Sequence, residues 1–476
     1  MNVTAPIRRA AFLYPAAVAI IRADHTAVSY RAFDAMIDAA ARHLAAVGLM
    51  AGQVAGLAIA GPDEFPGLIV ALALARLGVV SADLALPAER MDVCIIEGGR
   101  AAPAGVRSLA IEAVCGGMTS ADADGVPVRP HPDGSGGFRI FASSGTTGTP
   151  NFSAISHDLM AARVADSWLA VGQVPAVQIC AIGMGITWGC TRMLRTFWTG
   201  GTLVLTNPRD AVATIVRHKV NALSIAPVSL EQVIAAVPAG RARPPSLRMI
   251  EVSGSALSPA LRAMVRLKLC DTLFSHFGAT EAGGVASGPF SAFGETPGAV
   301  GYVHTGVEVE AVDEDGRMLP PNTEGILRIR GPNVISGYLG DTVASAAVFR
   351  DGWFYCGDIG AVSPDGLLTV GGRNSDFINA GGNKVSPKVI EDVLLSLPQV
   401  GDAAAFGVPD RMGVVRIWVA IVPAAPVDAS ALLAICRDRL GDKAPTFLIQ
   451  VQALPRNPNG KIVRADLIRF AAQLRP

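Results

Sequence analysis

The sequence predicts an α/β protein with a large N-terminal domain of parallel sheets plus a barrel-like subdomain, and a small C-terminal α+β domain. Strand-like and helix-like runs alternate through the first half of the chain, which favours parallel strands joined by helices. From residue 300 onward apolar residues recur with period two, as in antiparallel sheets with one solvated face. The 476 residues, half of them apolar, are enough for two or more folded domains.

The first half of the chain contains elements with clear periodicity and boundaries. Residues 10–21 predict an early strand, which is followed by a turn at 24–25. A helix is predicted over 29–47, because six apolar side chains share one face, Ser29 can cap its start and Gly48 can end it. The alternation continues with strands predicted at 54–60, 138–142 and 203–206, and helices at 64–77, 157–170 and 212–218.

The later part of the chain is predicted to be antiparallel up to a polar break. Period-two runs occur at 307–312, 326–329 and 367–370, with a turn at 313–316. The glycine-rich stretch 371–376 predicts a flexible connection, so we divide the chain into an N-terminal domain, 1–373, and a C-terminal domain, 374–476. In the second domain a helix is predicted at 386–397, with Ser386 as its cap.

Composition argues against several classes of function. Forty basic and forty acidic residues cancel, so nothing indicates binding to nucleic acid or an acidic membrane. The seven cysteines are scattered without zinc-like spacing, which indicates free thiols in a reducing compartment. Arg8 and Arg9 precede an apolar run, but Pro15 interrupts it and no small-residue cleavage site follows, so we expect a cytoplasmic protein. The longest apolar segment, 67–75, is too short to span a bilayer.

Residues 141–150 form the most informative segment. Within it, 143–148 combine four hydroxyl side chains with two glycines, directly after an apolar strand-like run. Glycines let main-chain amides approach a ligand closely, and a loop of this kind after a strand suits the phosphates of a nucleotide. The alternative is an ordinary polar surface loop. The sequence has neither a Walker-type phosphate loop nor the dinucleotide-binding glycine pattern.

Further motifs follow this loop in order along the chain. They are Phe277-Gly278-Ala279-Thr280-Glu281, Tyr355-Cys356-Gly357-Asp358, Gly372-Arg373 with Asp376, and Asn459-Gly460-Lys461. Singly each is weak, because such short runs usually mark turns or helix starts. Together, their order and spacing resemble the adenylate-forming superfamily, which contains acyl-CoA synthetases, peptide-synthetase adenylation domains and firefly luciferases. The resemblance extends from about Ala27 to Arg469.

The resemblance implies an AMP-forming acid–thiol ligase, an acyl-CoA synthetase, that uses ATP and Mg²⁺ to make an acyl-adenylate and transfers the acyl group to CoA. Lys461, Glu281 and Thr280 would be catalytic, and Glu281 would also hold Mg²⁺. The cofactor-binding residues would be Ser143, Ser144, Gly145, Thr146, Thr147, Gly148, Gly254, Phe277, Gly278, Asp358, Arg373 and Gly382. Among these the hydroxyl loop would hold phosphates, Phe277 would stack near adenine, and Asp358 would accept hydrogen bonds from the ribose.

The resemblance also implies a second pose, in which the small domain swings about the break near Ser375 for thioester formation. The glycine-rich stretch 380–385 resembles the loop that meets the thiol, and as a structural alternative it is a tight hairpin. The thiol would belong to CoA or to the phosphopantetheine arm of a carrier protein.

The chain departs from the family pattern at informative positions. The usual Lys after the phosphate loop is Asn151, which leaves open a slow enzyme, a compensating Arg, or a catalytically impaired homologue that only binds nucleotide or acyl ligand. The acyl-pocket segment 183–189 has no acidic residue, which disfavours an amino acid as substrate. Its Met184, Ile186 and Trp188 suggest an apolar or aromatic acid, although all three could be core, and His276 could border the pocket.

Overall fold

The computed structural model describes most of the chain. The described residues are 1–57, 64–97, 101–115, 127–131, 133–143, 150–171, 176–238, 240, 242–255, 257–293, 296–373, 378–380, 383–410, 414–456 and 462–474. Over these ranges, no helix combines the length and the apolar character needed to cross a membrane.

A mixed sheet in the first third of the chain carries the strand before the predicted phosphate loop. Its strands, in spatial order, are β6 (Arg107–Ala110), β5 (Val93–Ile96), β3 (Val54–Leu57), β4 (Val80–Ala82), β7 (Gly137–Ser143) and β8 (Asn151–Ser156). Neighbouring strands are parallel except β7 and β8, which pair antiparallel with Ser143 opposite Asn151. The helices of this region are α2 (Tyr30–Ala46), α3 (Phe65–Leu77), α4 (Ile111–Cys115) and α5 (His157–Val171).

A larger sheet begins with parallel strands and continues as antiparallel ones. Its first half, in spatial order, is β2 (Ala27–Ser29), β1 (Val18–Ile21), β10 (Thr202–Val204), β9 (Val177–Cys180), β11 (Ala222–Ile225), β12 (Met249–Val252) and β13 (Thr272–Ala279). From β1 to β13 these strands are parallel. The helices of this half are α1 (Ala5–Leu13), α6 (Thr187–Trp198), α7 (Ala211–His218), α8 (Pro227–Ala235) and α9 (Pro259–Lys268).

The second half of the larger sheet contains the predicted period-two strands. In order they are β14 (Gly283–Pro289), β15 (Ala299–Val303), β20 (Leu367–Arg373), β19 (Trp353–Val362), β17 (Gly325–Arg330) and β16 (Glu308–Val312), while β18 (Phe349–Arg350) pairs with β19 after α10 (Thr342–Val348). Every pairing from β13 onward in this sheet is antiparallel, and the alternation predicted this for β16, β17 and β20.

The C-terminal part has its own sheet and its own core. A hairpin of β21 (Ile378–Ala380) and β22 (Asn383–Val385) precedes the strands β23 (Val400–Pro409), β24 (Val415–Pro423) and β25 (Phe447–Gln450), and the helices are α11 (Pro387–Leu395), α12 (Ala429–Leu440) and α13 (Arg464–Gln473). One buried apolar cluster is built wholly from this part, with Ile390, Ala405, Val419 and Leu432 among its members. The stretch resembling a thiol-binding loop therefore lies on a hairpin, and its Gly382 falls outside the described residues.

Several elements match the sequence prediction closely, and one was wrong in part. Ser29 accepts a hydrogen bond from the Ala32 amide at 3.2 Å and so caps α2, as predicted. Residues 10–13, however, belong to α1 and not to a strand. Pro6 sits in the first turn of this helix, where its restricted φ suits a helix, and Ile7 and Ala10 are buried one turn apart.

Ser386 is a second correction. It precedes α11 as predicted, but its side chain makes no cap hydrogen bond to that helix. Its hydroxyl donates instead to the carbonyl of Gly371 in β20 at 2.6 Å. A side-chain oxygen can satisfy one partner or another, and here a contact 15 residues away competes successfully with the local one.

Candidate active site

A cavity of about 620 Å³ is lined by residues from both sheets. Residues just beyond the carboxyl ends of the parallel strands β9, β11 and β12 contribute to it, together with the end of β13. Ligands of open α/β sheets bind at this edge, because the strands stop there and the loops diverge. From the smaller sheet, Ser143 and Asn151 reach the cavity where β7 ends and β8 begins.

Most of the described residues that the sequence predicted for the site meet at this cavity. Those that line it are Ser143, Gly254, Phe277, Gly278, Thr280, Glu281 and Arg373. Asp358 is not part of the lining, but it lies opposite Arg373 in the β19–β20 pairing. The predicted residues Ser144, Gly145, Thr146, Thr147, Gly148, Gly382 and Lys461, and the hinge residue Ser375, lie outside the described residues.

Glu281 is held in place through its backbone and through one carboxylate oxygen. Its carbonyl accepts hydrogen bonds from Arg163 Nη2 at 3.2 Å and from the Ile335 amide at 2.9 Å. The hydroxyl of Tyr338 donates to Oε1 at 3.0 Å. Arg163 also donates to the carbonyl of Thr280 at 3.0 Å, and burial lowers the pKa of Arg163 to about 10, so it stays charged. The loop before β14 is therefore fixed by a buried cation.

The donor set around Glu281 fits a magnesium ion bound together with phosphates. Mg²⁺ prefers hard oxygen ligands and is usually held by one or two carboxylates plus substrate phosphates and water. Glu281 is 7% exposed and offers such a carboxylate to the cavity. In the described ranges no group of three or more His, Cys, Asp or Glu side chains is placed to hold a metal by itself. The ion would therefore depend on the nucleotide for its remaining ligands.

Arg373 is positioned by two contacts on the neighbouring strand. Its Nε lies 2.9 Å from Asp358 Oδ1, and its Nη1 donates to the carbonyl of Cys356 at 2.9 Å. Gly357, between these two partners, has φ +78° and leaves the guanidinium room to pass close to the backbone. A fixed guanidinium at the rim of a cavity suits phosphate or hydroxyl oxygens of a nucleotide.

The other side of the cavity is apolar and aromatic. Ile182, Ile186 and Trp188 line it around the start of α6, and Val228 and Phe354 are further apolar residues of the lining. Of the residues that suggested an apolar acid, Ile186 and Trp188 thus face the cavity. Met184 does not line it and is 2% exposed within the large hydrophobic core. His276 borders the cavity, as the sequence suggested.

Comparisons with family models and with related proteins identify the same protein family. A model described as AMP-binding enzyme matches residues 117–339, and one described as AMP-binding enzyme C-terminal domain matches 389–461. The 2-succinylbenzoate–CoA ligase of Geobacillus kaustophilus is 32% identical over 351 residues, which cover 70% of this chain and 69% of that protein. The chain belongs to the family of AMP-binding enzymes, within the adenylate-forming superfamily.

Other relatives of this AMP-binding enzyme match a smaller share of their own length. A probable CoA ligase of Humulus lupulus is 35% identical over 236 residues, 48% of this chain, and the chain spans only 45% of that protein. The salicyl-AMP ligase / salicyl-S-ArCP synthetase of Mycobacterium tuberculosis is 31% identical over 362 residues, covering 72% of this chain and 63% of that protein.

Solved structures show the same fold along almost the whole AMP-binding enzyme. The O-succinylbenzoate coenzyme A synthetase of Bacillus subtilis, solved in complex with ATP and magnesium ion, superposes with a TM-score of 0.85 at 24% identity. The match covers 97% of this chain and 98% of that chain. The α/β fold predicted from the sequence, with its large N-terminal part and smaller C-terminal part, is thereby confirmed.

Sequence reasoning missed several side chains of this AMP-binding enzyme that contact the site. Tyr338 binds Glu281 directly, Arg163 holds the Glu281 loop, and Arg192 lines the cavity from α6. None of them belongs to a recognised motif. Each meets its partners only after α5, α6 or the segment before α10 folds against the ends of β13 and β14.

Proposed function

We propose that the protein is an AMP-forming acid–thiol ligase that activates a carboxylic acid with ATP and transfers the acyl group to CoA. One observation carries the proposal. A single cavity joins a polar end, with Ser143, Glu281 and Arg373, to an apolar and aromatic end beside Ile186 and Trp188. A nucleotide and an acid bound in it would meet at their reacting atoms, which removes much of the entropic cost of a two-substrate reaction.

The first step would make an acyl-adenylate. A carboxylate oxygen of the acid attacks the α-phosphorus of ATP, and the bond to the departing pyrophosphate breaks. Mg²⁺ held by Glu281 would neutralise charge on the phosphate oxygens. Thr280 would donate a hydrogen bond to a phosphate, and Arg373 and Asp358 would hold the ribose end. Lys461 is proposed to approach the carboxylate and the α-phosphate, as the family resemblance implies.

The second step would transfer the acyl group to a thiol. The sulfur attacks the acyl carbon, AMP leaves, and the thiol proton passes to solvent. We propose that the division at residue 373 separates a body from a C-terminal domain that moves between the two steps. The separate core of the C-terminal part supports this division. The hairpin of β21 and β22 is the proposed contact for the arm that carries the thiol.

The apolar and aromatic end supports an apolar or aromatic acid. Trp188 and Ile186 offer apolar and aromatic surface to the cavity, and the relatives named for 2-succinylbenzoate and salicyl substrates act on aromatic acids. A carrier protein is the second candidate acceptor, because one relative is named both as an AMP ligase and as a carrier-protein synthetase. CoA is our first choice, since the 2-succinylbenzoate–CoA ligase, of which this chain covers 69%, is named as a CoA ligase.

The decisive experiment measures pyrophosphate released from ATP with a panel of aromatic and aliphatic acids, with and without Mg²⁺. We expect release with at least one acid, and a loss of at least a hundredfold in Lys461→Ala and in Glu281→Gln. CoA and a phosphopantetheinylated carrier protein are then offered separately to the active mixture. Consumption of CoA thiol supports the first choice, and acylation of the carrier alone supports the second.

A catalytically impaired homologue, which Asn151 leaves open, makes a different prediction. Such a protein would bind ATP in a calorimetric titration yet release no pyrophosphate with any acid. That result would overturn the proposed ligase. Pyrophosphate release that survives unchanged in Lys461→Ala would contradict the assigned role of that lysine, because the activity would then arise elsewhere.

A further inference from the structure

A buried ionic cluster lies behind the apolar end of the cavity. Glu251 in β12 is fully buried, and Arg195 of α6 binds it with two hydrogen bonds of 3.1 and 2.6 Å. Ser224 in β11 donates to the same carboxylate at 2.8 Å. The Nε of Arg192 lies 3.3 Å from Glu251 Oε1, and Nε2 of His276 lies 3.0 Å from that oxygen. Two arginines therefore share one carboxylate.

The charges in this cluster do not balance. Burial and the nearby Arg192 lower the pKa of His276 to about 4, so the ring is neutral near pH 7. Although burial opposes it, Arg192 and Arg195 hold the pKa of Glu251 well below its ordinary value, so this carboxylate is ionised. The two guanidiniums and one carboxylate leave an excess of one positive charge. A buried charge without a counter-ion is costly, and such groups are normally paired.

The excess charge belongs to Arg192 and not to Arg195. Arg195 makes its pair of hydrogen bonds to Glu251 and does not line the cavity. Arg192 lines it, although the side chain is 3% exposed. Its Nη2 donates to the ring of His276 at 3.1 Å, while Nη1 makes no hydrogen bond within the described part of the chain. Its Cζ lies 5.1 Å from the ring centroid of Trp188.

Two further donors at the same end of the cavity lack partners. The hydroxyl of Thr187 and the indole nitrogen of Trp188 are buried without a hydrogen bond to any described residue, and both residues line the cavity. Thr187 is 6% exposed. Asp166 is another charged group in the lining, but it accepts a hydrogen bond from Asn333, and no ion pair joins it to Arg192 in the described ranges.

We propose that Arg192 selects an acid with a second carboxylate, which binds at the end of the cavity remote from the nucleotide. This inference rests on the proposed ligase and narrows its substrate class to dicarboxylic acids with an apolar or aromatic body. A carboxylate there supplies the missing counter-ion and accepts hydrogen bonds in the geometry that a guanidinium favours. Trp188 covers the body of the acid.

The test compares each diacid with a monoacid of matching shape. Terephthalate is paired with 4-methylbenzoate, and adipate with hexanoate, and kcat/KM is measured from pyrophosphate release. A site with unpaired buried donors rejects a substrate that lacks the matching acceptor, so we expect the diacid of at least one pair to be favoured by on the order of a hundredfold. This ratio needs no variant, so it does not depend on how a mutant folds.

Two variants then assign the preference to one side chain. Arg192→Met should reduce the diacid-to-monoacid ratio to near one, chiefly through the KM of the diacid. Arg195→Lys is the control, since it changes the other arginine of the same carboxylate but keeps its positive charge, and position 195 does not line the cavity. It should keep the ratio, with folding of both variants checked by thermal unfolding.

The outcomes separate this inference from the function on which it rests. Activity confined to monoacids, or a diacid preference that survives Arg192→Met, overturns the inference and leaves the ligase intact. Absence of pyrophosphate with every acid overturns the ligase and the inference together. A preference for acids with a phenolic hydroxyl over diacids would also overturn it, because that ligand carries no second carboxylate.

Discussion

At the scale of single residues, the Tyr338 hydroxyl lies between Glu281, the predicted metal ligand, and Asn151, where the family pattern has lysine. The Tyr338 hydroxyl donates to Glu281 and lies beside the Asn151 side chain, and burial raises the pKa of Tyr338, so the phenol stays protonated and remains a donor. Asn151 therefore lines the cavity near Glu281, on the side proposed for the phosphates, without adding a charge. A lysine there, as in the family pattern, would add a cation facing the phosphates.

Asn151→Lys should raise the rate of pyrophosphate formation about tenfold. A charge-assisted hydrogen bond that acts in the transition state contributes about 1.5 kcal/mol or more, and that energy corresponds to a factor of ten in rate. Single-turnover measurements with saturating ATP and acid would check it. Asn151→Gln, which lengthens the side chain without a charge, is the control and should stay close to the wild-type rate. An unchanged or lower rate in Asn151→Lys would mean that another cation already fills this role.

At the scale of elements, a second buried ionic cluster shows what balanced charges look like in this fold. Arg76 of α3 is fully buried, and its two terminal nitrogens lie 2.6 Å from Asp34 and Asp38 of α2. Arg8 of α1 reaches the same two carboxylates at 2.6 Å. Two arginines face two aspartates, so the cluster joins three helices without a net charge. The cluster around Arg192 has an excess positive charge instead. This difference is consistent with a structural role for the Arg76 cluster and a binding role for Arg192.

Arg76→Met should lower the free energy of unfolding by about 3–5 kcal/mol, because it leaves buried carboxylates short of a partner. Arg8→Met is the comparison, since the Arg8 side chain is 27% exposed and water can replace part of its interaction. Arg8→Met should lower the free energy of unfolding by less than half as much as Arg76→Met. Urea unfolding followed by tryptophan fluorescence measures both, and equal losses would contradict the assignment of Arg76 as the central partner.

At the scale of the whole molecule, two buried histidines make stability depend on pH. Burial lowers the pKa of His157 and of His276 to about 4, from an ordinary value of 6.5. His157 accepts a hydrogen bond from the Val3 amide at 3.3 Å, and its other ring nitrogen is buried without a partner in the described ranges. Below pH 6.5 the unfolded chain binds protons that the folded chain does not. Stability is therefore complete above that pH and is lost as the pH falls toward 4.

We expect a decrease of roughly 2 kcal/mol per histidine between pH 7.5 and 5, since each pKa unit corresponds to about 1.4 kcal/mol. Unfolding in urea at the two pH values measures it. His157→Asn should reduce the pH-dependent loss by roughly 2 kcal/mol, whatever its effect at pH 7.5. His43→Asn, at an exposed position of α2, is the control and should leave the loss unchanged. A loss that His157→Asn does not reduce would contradict the prediction.

Much of the fold could be predicted from the sequence, because the signals are local. The 3.6-residue periodicity and the Ser29 cap predict α2, and period two predicts the antiparallel strands β16 and β17. The order of five short motifs was enough to identify the family, and the comparisons confirm it. Seven site residues outside the described ranges, with Lys461 among them, keep their roles as predictions.

Contacts between distant residues were decided by the tertiary structure. Met184 and Trp188 looked alike as pocket candidates, yet packing buries one in the core and turns the other to the cavity. No sequence pattern indicated a role for Arg192. Its neighbour Glu251 is 59 positions away, and the two side chains meet only because β9, β11 and β12 lie side by side in the sheet. Periodicity and motifs record what a short segment prefers. Which charges share a buried space depends on how sheets and helices are stacked, and that is a property of the whole chain.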